Sequence, residues 1–142
     1  MHKVREILDE FETALKPLVF KGRSITVQRI NPNTVDTFPT VRVGLGPDVS
    51  EGDSFDSDQQ NLTVFTDIHF ESSSLDIEND AIDAREQVEN LINMDGRFAI
   101  ADVLYVRFQE AETLDWNDQK ADMYAVKQRL IWQVSYVKPP SY

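Results

Sequence analysis

The chain has no cysteine, which excludes disulfides and thiolate chemistry and leaves its redox compartment unreadable. It has only two histidines and five glycines, and no Walker loop, dinucleotide fingerprint or nucleophile elbow occurs. No apolar run approaches the ~20 residues of a membrane span, so no membrane partner is expected. Residues 1–20 are amphipathic and charged, unlike a signal peptide with its uninterrupted apolar core. The expectation is a protein that stays inside the cell that makes it, or in a particle assembled there. Positive charge is scarce too: 14 Lys and Arg stand against 25 Asp and Glu, for a net charge of −11. Phosphate neutralisation needs clustered cations, which argues against a nucleic-acid-binding module. A negative surface suits solubility, and also a place where DNA slides past without sticking. Asn61-Leu62-Thr63 matches a glycosylation sequon by letter only.

What is present is an ordinary globular composition. At 142 residues the chain reads as one domain over 1–142, and a domain of this size buries roughly 68–70% of its unfolded surface. Val4, Ile7, Leu8, Phe11 and Leu15 recur at helical spacing and predict a helix over about 3–16, stopped by Pro17. Ser24 to Ile30 alternates and is rich in β-branched residues, hence a strand. Strands follow over 40–45 and 60–71, the first with Val41, Val43 and Leu45 on one face. The second carries Leu62, Val64, Thr66, Ile68 and Phe70 on one face. A second helix is predicted from the stripe Ile77, Ala81, Ala84, Val88 and Leu91, widened by Ile92. Ser73 and Asp76 have capping-box spacing before it, and Gly96 stands at the expected C-terminal cap.

Asp102 to Gln109 reads as a strand with Val103 and Tyr105 on one face and Leu104, Val106 and Phe108 on the other. Glu110 to Lys120 reads as a polar connector. The last strand, over 122–137, puts Tyr124, Val126, Leu130, Trp132, Val134 and Tyr136 on one face. Lys127, Arg129, Gln133 and Ser135 share the other. Unbroken, it would span on the order of 50 Å at ~3.3 Å per residue, so either a bulge bends it or part of it projects to pair elsewhere. A short tail with Pro139 and Pro140 closes the chain. The fold class is α+β: a mostly antiparallel sheet of about five strands with two helices packed on one face.

The candidate functional segment is the acidic loop over 46–59, which carries Asp48, Glu51, Asp53, Asp56 and Asp58. It is far longer than a hairpin needs, and such loops are functional or mobile. It fails as a calcium loop of the EF-hand type. Counted from Asp53, position six is Asp58 where glycine is needed, and position twelve is Val64 where glutamate is needed. No metal and no cofactor is assigned; a looser divalent-cation site stays open beside the preferred reading, a solvated or partner-contacting loop. Asp67 and His69, two apart on a strand, read as a hydrogen-bonded structural pair. With so many acids nothing singles out a catalytic pair, and no catalytic residue is assigned. Phe55 in the acidic loop and Trp116 in the polar connector are aromatics flanked by charge, as in interface anchors, or else fold back over the domain's own core. Arg42, Lys127 and Arg129 point away from the apolar faces of their strands. They are candidates to pair with an acidic loop of the same or a neighbouring chain, or to form a solvated sheet face.

The order of these elements resembles the tail-terminator (minor tail protein U-like) family of long-tailed phages. The likeness runs through FPTVRVGLG, the acidic loop, LTVFTDIHFES, the helix DAIDAREQVENLI, a connector carrying Asp115 and Trp116, and a final strand closing on WQVSY. The resemblance implies a virion structural protein, not an enzyme. It would form a hexameric ring on the completed tail tube, stop tube polymerisation and offer the surface to which the DNA-filled head attaches. The partners implied are its own copies, the tail tube protein and the head–tail connector protein, with DNA passing through unbound. The place implied is the head-proximal end of the virion tail, reached from the host cytoplasm during assembly. Asp53, Phe55, Asp56, Asp58, Trp116, Arg42, Lys127 and Arg129 would then serve subunit or partner contacts. The chain departs from the family in a longer N-terminal stretch and a longer connector between the last two strands, leaving open which face meets the tube. Two other readings stand beside this one: another ring protein of the head–tail neck, and an acidic DNA-mimic inhibitor of a nucleic-acid enzyme.

Overall fold

A computed structural model describes residues 3–20, 23–30, 40–50, 59–72, 77–93, 100–120 and 123–138. Helix α1 (Lys3–Leu15) follows its apolar spacing: Ile7, Phe11 and Leu15 have no exposed surface. It stops where the sequence requires, since a proline ring at position 17 cannot continue the turn. Two short strands, β1 (Val19–Phe20) and β2 (Arg23–Ser24), pair antiparallel. The single strand expected over 24–30 is therefore split. Ile25 turns inward to 6% exposure and its amide donates to the Leu18 carbonyl (3.2 Å), and β3 (Thr26–Arg29) begins after it.

Strands β4 (Thr40–Ser50), β5 (Gln59–Ser72), β6 (Val103–Lys120) and β7 (Met123–Val137) complete a five-stranded sheet in the order β3-β4-β5-β7-β6. The β3–β4 pair is parallel and the other three are antiparallel. Helix α2 (Ile77–Asn93) packs on β5, β6 and β7, and α1 on β3 and β4, so both lie on one face. Between layers and sheet sit Phe11, Trp132, Val88, Ile92, Leu130, Val64 and Ile68, all at or below 1% exposure. Trp132 is the hub. Its ring meets Phe11 (6.1 Å) and Phe108 (5.5 Å) edge-on, and its indole N–H donates to Thr66 Oγ1 at 3.0 Å. A buried indole N–H without that acceptor would cost the desolvation of a polar group.

Two expectations fail for one physical reason. Glu110 to Lys120 is not a connector: it is strand, paired with β7 to its end. Leu104 does not share a face with Val106 and Phe108; it is 49% exposed, while Val103 and Val106 are both buried. The cause is four register shifts, between 103/105, 108/110, 113/115 and 118/120, each inserting one residue into β6. Bulges at 104, 109, 114 and 119 thus reset the alternation every five residues. The inward positions become Val103, Val106, Phe108 and Ala111, a spacing with neither strand nor helix period. Asp102, at φ 71°, starts this strand in the left-handed region that Asp tolerates, and its carbonyl accepts from the Val137 amide (2.8 Å).

Strand β7 is regular. Its fourteen pairs with β5 run without a register shift, from Gln59–Val137 to Ser72–Tyr124, so the irregularity expected of it lies in its neighbour. β6 flanks its other edge along the same length, and it does not project unpaired. The loop expected over 46–59 is also shorter than read. Residues 46–50 belong to β4, past a bulge between Leu45 and Asp48 that holds Pro47, whose missing N–H a regular ladder would not tolerate. Residues 51–58, and the cap positions Ser73, Asp76 and Gly96, lie outside the described residues.

Candidate functional site: the helix-free face of the sheet

The pairing registers align charged residues of four strands into one row. Arg42 of β4 stands opposite Asp67 of β5, Asp67 opposite Arg129 of β7, and Arg129 opposite Glu112 of β6. Signs alternate along the row, so each charge has an opposite neighbour across the ladder, the arrangement that stabilises cross-strand pairs. The row lies on the face away from the helices. Odd-numbered β7 residues, 127 to 135, point there while Val126, Leu130, Trp132, Val134 and Tyr136 point into the core.

Asp67 and Arg129 form the strongest element. Arg129 Nε donates to Asp67 Oδ1 at 2.8 Å and Nη2 to Oδ2 at 2.9 Å, the bidentate fork that fits a guanidinium to a carboxylate. The guanidinium also lies 4.2 Å from the centre of the Phe65 ring. Those hydrogen bonds raise the Arg129 pKa above its ordinary value; burial opposes the rise, and the charges of Asp67 and Glu112 add to it. Asp67 is 4% exposed although neither helix covers it. Its neighbours in the sheet do the covering.

Glycine keeps this lateral packing close. A Cβ on Gly46 would come within 2.9 Å of Phe65 Cζ and of Thr63 Cγ2, and one on Gly44 would meet the Ile30 side chain. The amide of Gln133 donates to Thr63 Oγ1 (3.1 Å) and to Gln109, and Gln59 Nε2 donates to Ser135 Oγ (2.9 Å). Arg107 lies over the Tyr105 ring at 4.4 Å.

Several expected site residues meet here. Arg42 and Arg129 share the charged row. Lys127 stands one row away, opposite His69 on β5 and Asp115 on β6. Arg129 is held by Asp67 of its own sheet, not by an acidic loop. Asp67, read from the sequence as paired with His69 on its own strand, takes Arg129, one strand over, as its bidentate partner. Trp116 stands opposite Val126 in the register, and its side chain lies outside the described residues. Asp53, Phe55, Asp56 and Asp58 lie outside them altogether.

Sequence reasoning missed Phe65 and Glu112 and misplaced Asp48. Asp48 reads as a loop acid, yet it sits on β4 and accepts a hydrogen bond from the Tyr136 hydroxyl at 2.7 Å. Burial, then that hydrogen bond, raises the Tyr136 pKa well above the ordinary tyrosine value. Among the described residues no group of three or more His, Cys, Asp or Glu is placed to hold a metal ion. No described helix is long and apolar enough to cross a membrane.

No protein-family model and no curated protein matches the chain. Its fold does match solved structures. One is a chain of the "Virion of native gene transfer agent (GTA) particle", with a TM-score of 0.58 and 15% sequence identity. The match covers 92% of this chain and 91% of that one. At that identity the likeness is one of fold, and it extends over essentially the whole of both chains.

Proposed function

We propose that this protein is a structural subunit of a phage-like virion, and within the virion a tail terminator. The observation that carries the first step is the end-to-end fold likeness to a chain of a gene transfer agent virion. The second step rests on the resemblance of FPTVRVGLG, LTVFTDIHFES, DAIDAREQVENLI and WQVSY to the tail-terminator family. In this reading six copies close into a ring on the finished tail tube, block further addition of tube subunits and present the surface that receives the head. No turnover is involved. The chemistry the subunit offers is an ordered, sign-alternating sheet face and an acidic exterior, which suit contact with protein while DNA passes unbound. Arg42, Lys127 and Arg129, with Trp116 and the segment bearing Asp53, Phe55, Asp56 and Asp58, serve its contacts with neighbouring copies, tube or connector.

The test is co-assembly. Tail tube protein polymerised with this protein is expected to give tubes that stop growing and carry a sixfold ring at one end in electron micrographs. Tubes that grow on unchanged, with the protein left free, would sink the terminator reading. Binding to the connector ring and not to the tube would move it to another ring of the neck. A monomer that binds only basic enzymes in a salt-sensitive way would make it a DNA mimic.

A further inference from the structure

Across β5, β7 and β6 lies a groove of about 350 Å³ lined by Asn61, Tyr105, Arg107, Phe108, Gln109 and Gln133. These residues bring three amides and one guanidinium and no carboxylate, on a chain whose net charge is −11. Arg107 is exposed, rests on the Tyr105 ring and makes no ion pair among the described residues. The bulge at Gln109 turns this part of β6 outward from the regular pleat.

The opposite side of the molecule carries the complementary surface. Along the outer side of α2 run Asn79, Ile82, Asp83, Glu86 and Asn90, one exposed stripe at helical spacing. Asp83 and Glu86 make no ion pair among the described residues. The nearby cation, Arg85, turns instead to Glu89 (3.3 Å) and over the Phe108 ring (5.3 Å). Ile82, between the acids, is 52% exposed. An apolar side chain flanked by carboxylates matches a groove walled by aromatic rings, amides and a guanidinium that forms no ion pair among the described residues.

We infer that the groove receives the outer side of α2 from a second copy of this chain, Ile82 entering it and Asp83 and Glu86 meeting Arg107. The two surfaces lie on opposite sides of one sheet, so the contact is head-to-tail. It cannot close as a two-fold dimer and closes only as a ring or runs on as a filament. The inference rests on the ring reading above and names the faces that meet in it.

The cysteine-free chain makes the test clean. Single-cysteine variants Ile82→Cys and Gln109→Cys are to be mixed and joined by a short bismaleimide, in solution and on tail tubes. A mixed 82–109 product is expected, with same-to-same products absent. The doubly substituted chain should give a covalent ladder ending at the closed ring. Arg107→Glu should weaken association about tenfold, and combining it with Asp83→Lys and Glu86→Lys should restore it. Rings seen by native mass spectrometry without the 82–109 product would overturn this contact and leave the ring reading standing. Same-to-same products would show a two-fold contact and overturn it as well. A chain that stays monomeric at every concentration and on tubes removes both.

Discussion

The two faces of the sheet reach dryness by different routes. On the helix side a second layer removes water. Trp132, Leu130, Val134 and Tyr136 are fully covered beneath α1 and α2, and shape and apolar area do the work. On the other side Asp67, His69 and Ser135 are 4%, 5% and 0% exposed although neither helix packs there. Long side chains lying along the sheet shield Asp67 and Ser135: Arg129 over Phe65 and Asp67, Gln59 onto Ser135. The first face holds the domain together. The second stays polar at its outer surface yet fixed in geometry, as a surface must be if it is to meet a partner without reordering.

The largest loss is expected on the apolar side. Trp132→Ala should cost about 3–5 kcal/mol, because the vacated space lies between Phe11, Phe108 and Thr66 and rigid elements cannot collapse into it. Chemical denaturation measures this, and a loss under about 1 kcal/mol would mean that the two layers are not packed as described.

Next comes the polar side. Asp67→Ala leaves the Arg129 guanidinium partly buried with its fork empty and should cost about 2–3 kcal/mol. Replacing both residues, as Asp67→Leu with Arg129→Met, should recover most of that loss. If the single and double variants are equally unstable, the pair does not act as a unit.

Gly46→Ala tests how closely the lateral layer is packed. The new Cβ at 2.9 Å from Phe65 and Thr63 must displace them, at about 1–2 kcal/mol. Gly44→Ala should cost less, since it pushes only the exposed end of Ile30. Equal costs in thermal melts would argue against that distinction.

The smallest effect lies at the end of the sheet, between Tyr136 and Asp48. Tyr136→Phe removes the hydrogen bond to Asp48 and should cost about 1 kcal/mol near neutral pH. Its phenol is raised in the folded state, so the folded chain holds that proton more tightly than the unfolded one. The resulting stability is fully present below the ordinary value of 10.0 and is lost as pH rises from there through the raised folded value. Stability measured against pH should therefore fall more steeply above pH 10 in the parent than in Tyr136→Phe.

Regular elements were legible in the sequence because each carries its own period. The stripes of α1 and α2, the alternation of β5 and β7, and the stop at Pro17 are local consequences of side-chain spacing. From these came the α+β class and the choice of Arg42, Lys127 and Arg129 as residues that avoid the core. Tertiary structure alone decided the rest. β6 has no readable period, because bulges every five residues shift its inward positions to wherever β7 offers a partner. Asp67 found Arg129 across sixty-two positions of sequence, and Asp48 found Tyr136 across eighty-eight. A carboxylate's partner depends on which strands the chain sets side by side, and no local pattern carries that information.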